Sequence, residues 1–156
     1  VNIRSVIREE VGRVLRGKKS TNVEYTGVII EGDEISKFES MLLDRFDTLG
    51  VVIPDEFISP DNYHMTITLG ELSLGVKMDG AIGAPVELTC HSLGVSNDAI
   101  AVGVSGLYSR NDIQHITVGF RSRASDSKLI ENWTSFKPFK VVGHVREVIN
   151  KNFDTL

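Results

Sequence analysis

The sequence predicts an α+β domain, and three observations carry that reading. Two stretches, 1–19 and 33–46, repeat apolar residues with helical spacing. Several others (25–30, 62–70, 86–96, 99–106, 114–120 and 139–149) are β-branched or alternate apolar and polar residues with period two. The connections between the later stretches are short, which favours antiparallel pairing.

Taken in order, "VNIRSVIREEVGRVLRGKK" places Ile3, Ile7, Val11, Val14 and Leu15 on one stripe, with Gly17 as a stop, and predicts an N-terminal amphipathic helix over 1–19. It holds six basic residues against two acidic ones, so it is about +4 while the remainder is about −8. That asymmetry suits a docking arm for RNA, a membrane surface or a partner protein; the plainer reading is a helix that packs its stripe on the body. Residues 20–156 form the expected main domain. "YTGVII" (25–30) predicts a buried strand, and Asp33 is placed to cap a helix that runs to Phe46 with Ile35, Phe38, Leu42 and Phe46 on one face. Two prolines turn the chain into "NYHMTITLG" (62–70). Glycine-punctuated strands follow, then "QHITVGF" (114–120), a short helix near "SDSKLIENWTSF" (125–136) and a last strand "FKVVGHVREVI" (139–149).

Composition narrows the function classes. At 156 residues and 41% hydrophobic content the chain can bury one core. With 17 basic against 21 acidic residues, no global positive field recruits nucleic acid, so any such binding is local. A lone cysteine, Cys90, excludes an internal disulfide framework and a cysteine-rich zinc site and fits a reducing compartment. No apolar run reaches the roughly 20 residues that span a bilayer, and the expectation is a soluble, cytoplasmic protein.

The informative feature is a short motif that occurs twice. In 62–70, His64, Thr66 and Thr68 project to one strand face and Met65, Ile67 and Leu69 to the other. "His64-Met-Thr66-Ile" has a second copy in "His115-Ile-Thr117-Val", again on a predicted strand, opposite Ile116, Val118 and Phe120. With nine threonines and four histidines in the chain, two such His-x-Thr triplets arise by chance about 2% of the time. Neither His91 nor His144 has a threonine two residues on.

Two imidazoles, each with an ordinary pKa of about 6.5, supply a base and an acid near neutral pH. In-line attack on a phosphodiester needs both. A hydroxyl two residues along the same face lies about 7 Å from the histidine Cα and can donate to a non-bridging phosphate oxygen as charge grows there. Neither group requires a metal or other cofactor.

These residues resemble the two-histidine (2H) phosphoesterases, whose pattern of His, any residue, Thr or Ser, then an apolar residue occurs twice. The resemblance covers roughly 25–149 and implies two pseudo-symmetric lobes, each an antiparallel sheet flanked by helices, around a central groove. It implies that His64 and His115 are the catalytic pair, with Thr66 and Thr117 as phosphate ligands. Family activities include opening 2′,3′-cyclic phosphates, ligating RNA ends, trimming RNA tails and degrading cyclic or 2′-5′ oligonucleotide signals. The segment from "SND" to "FKVVGHVREV" looks closest to bacterial and phage domains tied to RNA repair. The histidines are 51 positions apart (115 minus 64), short for the family, which implies reduced substrate-selecting loops.

The expectation is a metal-independent phosphodiesterase that opens a 2′,3′-cyclic phosphate, with His115 as base and His64 as acid. Cyclic oligonucleotide signals are the alternative substrate, and a non-catalytic phosphate or RNA-binding module the alternative class. Further substrate-binding candidates are Tyr25, Tyr63 and Thr68 around the first motif, and Arg121, Arg123, Ser125 and Lys128 in the loop after the second. Each has a plainer reading: Tyr63 as a core aromatic, Thr68 as a bond within the sheet, the loop as a solvated surface. Trp133 reads as core. A zinc hydrolase is disfavoured because no His-Glu-x-x-His helix is present, and neither a phosphate-binding P-loop nor a Gly-x-Ser-x-Gly elbow occurs.

Overall fold

Six β-branched, apolar stretches extend into strands, and every pairing among them is antiparallel. A computed structural model describes residues 22–73, 75, 80–107, 114–122 and 127–149. The elements are β1 (Val23–Ile30), α1 (Asp33–Leu49), β2 (Tyr63–Leu69), β3 (Pro85–Val95), β4 (Ala99–Ser105), β5 (His115–Phe120), a 3-10 turn (Ser127–Leu129) and β6 (Asn132–Ile149). The helix expected over 1–19 lies outside the described residues.

The strands close into a barrel in the order β1-β2-β5-β4-β3-β6. This overturns the expected α+β arrangement of two pseudo-symmetric lobes flanked by helices: there is one continuous sheet, and α1 is its one full helix among the described residues. The cause is β6. The predicted short helix near 125–136 and the predicted strand 139–149 merge from Asn132 onward into a single strand of 18 residues. Its first part pairs with β3, from Asn132↔Val95 to His144↔Pro85, and its last part pairs with β1, from His144↔Ile29 to Ile149↔Val23. One strand thus joins the two edges that separate lobes would have left open. Between Ser135↔Ser92 and Phe139↔Cys90, three residues of β6 face His91 alone, and this bulge is where Pro138 is tolerated.

The core follows from the register. Leu93, Val102, Ile116, Met65, Val28 and Val145 stand opposite one another across β3, β4, β5, β2, β1 and β6, and all six are buried. Each such side chain contributes about 1.5–3 kcal/mol on burial. Phe38, Leu42 and Phe46 of α1 join the same cluster, as the predicted helical face requires. The helix begins one residue earlier than expected: Gly32 is the N-cap, and Asp33 sits with Glu34 in the first turn, where carboxylates complement the helix dipole. Gly50 ends it in the left-handed conformation (φ 68°). Two side chains then fasten α1 to β6. Glu34 Oε2 accepts the Val142 amide at 3.0 Å, and the buried Arg45 donates to the Lys137 carbonyl of the bulge at 2.8 Å while lying over Phe136 and Phe139. No helix among the described residues is long and apolar enough to cross a membrane.

Met65→Ala is expected to cost roughly 2–5 kcal/mol, because it opens a hole in the middle of this row. Leu129→Ala, at a site 76% exposed, should stay within about 0.5 kcal/mol. Urea denaturation checks both: the midpoint should fall for the first variant alone, with the slope unchanged.

Candidate functional site

Both motifs alternate His and Thr with apolar residues, so burying Met65 and Ile116 forces His64, Thr66, His115 and Thr117 onto the opposite sheet face. The strands that carry them are neighbours, paired at Met65↔Ile116. In an antiparallel register this sets His64 across from Thr117 and Thr66 across from His115. The two motifs are therefore related by a local dyad confined to β2 and β5, with the histidines diagonal and their α-carbons roughly 7–8 Å apart. All four side chains are partly exposed. The floor beside them is made of small residues: Gly27 faces Thr66, Gly103 faces His115 and Ala101 faces Thr117.

The surroundings of the two histidines differ. His64 is mostly buried. The Tyr25 ring stacks on its imidazole, with centroids 4.4 Å apart and planes 26° apart. The Tyr25 hydroxyl lies 3.2 Å from His64 Nδ1 and donates to Asn62 Oδ1 at 3.2 Å; the same amide oxygen lies 2.7 Å from Nδ1. Gly27 lets β1 approach β2 closely here, since a β-carbon there would sit 2.8 Å from the Met65 carbonyl. Burial lowers the His64 pKa to about 4; a hydrogen bond to the backbone of Asn62 opposes the shift, and the nearby His115 adds to it. His64 is accordingly neutral at pH 7. Burial likewise raises the Tyr25 pKa, so its phenol keeps its proton.

At the second motif, Thr117 Oγ1 shares a hydrogen bond of 2.8 Å with Ser127 Oγ, a buried hydroxyl in the 3-10 turn. His115 faces Gly103, and over Gly103 lie the Ser92 hydroxyl, His91 and the edge of Trp133: a β-carbon there would meet His91 Cε1 at 3.1 Å.

The sequence-predicted residues thus divide. His64, Thr66, His115, Thr117 and Tyr25 share one site. Tyr63 does not join it: its ring packs on Phe38 at 5.0 Å, its hydroxyl donates to Glu39 at 3.0 Å, and burial together with that carboxylate raises its pKa to about 12. Thr68 is a correction. The β1 register jumps from Thr26↔Thr68 to Gly27↔Thr66, leaving Ile67 as an extra residue, so Ile67 and Thr68 are both buried and Leu69 is 75% exposed. The Thr68 hydroxyl donates to the Leu69 carbonyl at 3.3 Å rather than facing a groove. Arg121 is committed elsewhere: it bonds the Asn97 carbonyl at 2.9 Å and Glu56 at 3.2 Å, lies 3.6 Å from Asp98 and covers the Phe57 ring. Arg123 and Ser125 lie outside the described residues, as does the side chain of Lys128. Trp133 is not on a helix. It lies on β6 against Ala99, Ala101 and Ile130, and its Nε1–H donates to the Ile130 carbonyl at 3.1 Å.

Sequence reasoning missed Asn62, Ser127 and His91. Asn62 directly precedes the first motif strand and could have been weighed as a partner of His64. Ser127 and His91 reach the site only through the turn after β5 and the β3 bulge, which no local pattern announces. Among the described residues no three His, Cys, Asp or Glu side chains converge to hold a metal ion. No protein-family model matches the chain, and no curated protein matches it.

The depressed His64 pKa makes stability pH-dependent. Between about pH 6.5 and pH 4 the unfolded chain binds a proton at this residue that the folded chain refuses, so folding weakens as pH falls through that window. The full effect is about 3 kcal/mol. His64→Gln, which never ionises, should lose this dependence: the gap in unfolding free energy between wild type and variant, measured by urea titration at pH 7 and pH 4, should change by that amount.

Proposed function

We propose that this chain is a phosphodiesterase of the two-histidine type, acting on a 2′,3′-cyclic phosphate or related RNA-type phosphodiester without a metal cofactor. One observation carries the reading: the two His-x-Thr units lie on adjacent antiparallel strands and share one sheet face. The roles follow from chemistry. A water oxygen attacks phosphorus while one imidazole takes its proton. The bond from phosphorus to the 2′ or 3′ oxygen breaks, and the other imidazole protonates the departing oxygen. Thr66 and Thr117 donate to the non-bridging oxygens, and Ser127 orients the Thr117 hydroxyl. One water is consumed and a phosphomonoester is left. Tyr25, filled against His64, serves the histidine rather than the substrate's base. An RNA end or a cyclic oligonucleotide is the partner this site implies, in a cytoplasmic setting where such ends are made.

The test is product chromatography after incubation in excess EDTA with a 2′,3′-cyclic-phosphate oligonucleotide, a 2′-5′ linked oligomer and cyclic dinucleotides. His64→Ala and His115→Ala should each lower turnover of the preferred compound by at least about 10²- to 10⁴-fold. Thr66→Val should cost roughly 1.5–3 kcal/mol of transition-state stabilisation. If wild type leaves every compound intact with and without divalent metal, while phosphate-bearing ligands still bind, the phosphate-binding module replaces this reading.

A further inference from the structure

We infer that Asn62, clamped by the Tyr25 hydroxyl, is a positioning residue that holds His64 with its proton on Nδ1 and the Nε2 lone pair turned to the phosphate, making His64 the proton acceptor and His115 the donor. The tautomer rests on the Asn62 oxygen facing the ring; the assignment of acceptor and donor rests besides on the phosphodiesterase reading. It reverses the assignment drawn from the sequence.

The argument is one of donors and acceptors. An amide oxygen only accepts. Asn62 Oδ1 lies 2.7 Å from His64 Nδ1, and if Nδ1 carried a lone pair, two acceptors would face each other at hydrogen-bond distance. A proton on Nδ1 removes that conflict and makes the contact a short hydrogen bond of 2.7 Å. The Tyr25 hydroxyl occupies the second lone pair of the same oxygen at 3.2 Å, which keeps the amide from rotating its NH2 group toward the ring. Stacking of the phenol ring on the imidazole fixes the ring plane, so Nε2 has one direction to point. The neutral tautomer with a bare Nε2 is the form that can take a proton.

Among the described residues, Ile29 on β1 and Thr117 and His115 on β5 are also set against His64, and the carboxylates of Glu24 and Asp61 act on its partner Tyr25. Two residues before His115 the sequence has Ile113, whose side chain offers no oxygen in the place of Asn62, and across from His115 lies Gly103. The local dyad relates the motifs and not their supports.

Two-bond 1H–15N correlation spectra of the full chain, labelled at histidine, read the tautomer without any substrate. At pH 7 wild-type His64 should show a protonated Nδ1 and a bare Nε2. Asn62→Asp, which keeps the acceptor, should retain that pattern. Asn62→Leu removes the side-chain acceptor, leaving only the backbone one, and frees the Tyr25 proton to turn to Nδ1, so the pattern should invert to Nε2–H; Asn62→Leu combined with Tyr25→Phe should not invert. In turnover of the cyclic-phosphate oligonucleotide, Asn62→Leu should lower kcat about 10-fold or more with KM little changed, and Asn62→Asp should restore most of it. A wild-type spectrum with Nε2–H overturns the inference, and so does an unchanged tautomer in Asn62→Leu. Should the substituted chains fail to fold, the wild-type spectrum decides alone. A bare Nε2 together with no turnover by wild type leaves the positioning role standing and removes the catalytic reading instead.

Discussion

The pairing of Met65 with Ile116 is the contact on which the site depends. It is one rung of a row of buried apolar residues that runs through all six strands, and it is the register mark between the two motif strands. Because side chains alternate with period two, sliding β5 by one residue against β2 would place His115 and Thr117 in the core and expose Ile116. The same free energy that buries Met65 and Ile116 therefore sets each histidine across from the other motif's threonine. The geometry of the polar face is a consequence of the packing of the apolar one.

That rung is held from both sides. β1 meets β2 through Val28↔Met65 and β4 meets β5 through Val102↔Ile116, so neither motif strand is an edge. Closure by β6 makes this possible, and α1 holds β6 in turn. The Lys137 carbonyl, displaced by the bulge opposite His91, has no ladder partner in the β3–β6 register; Arg45 donates to it and lies over the flanking phenylalanines. The site is thus carried on the rigid wall of the barrel, which suits chemistry that tolerates little displacement of reacting groups.

What could be read from the sequence was what depends on local pattern. The strands around Met65 and Ile116, the helix from Asp33 and the shared facing of His64 with Thr66 and of His115 with Thr117 all follow from alternation or from helical spacing. What could not be read depends on partners distant in the chain. Residues 129–133 look helical because Leu129, Ile130 and Trp133 fall at helical spacing, yet from Asn132 the chain is recruited as a strand by β3, and the pattern carries no record of that neighbour. The inward turn of Thr68 follows from a bulge set by β1, not from anything within "TITLG". Arg121 looked like a phosphate ligand by proximity to the second motif, but the Asn97 carbonyl, Glu56 and Asp98, which hold it, come from two other parts of the chain.

The two copies of the motif are alike in sequence and unlike in place, and this matters for a reaction that needs one base and one acid. Identical surroundings would hand both imidazoles the same proton affinity and leave neither role favoured. Here the first copy is preceded by Asn62, stacked on Tyr25 and mostly withdrawn from water, so its ring stays neutral. The second is flanked by Gly103 and anchored through Thr117 to Ser127. Among the described residues, Arg121 is paired with acidic residues and Arg146 with Glu31 at 2.6 Å. A phosphodiester carries one negative charge. On the proposed phosphodiesterase reading the neutral His64 is the acceptor and His115 the donor, and that division of labour comes from neighbours outside the repeated triplet.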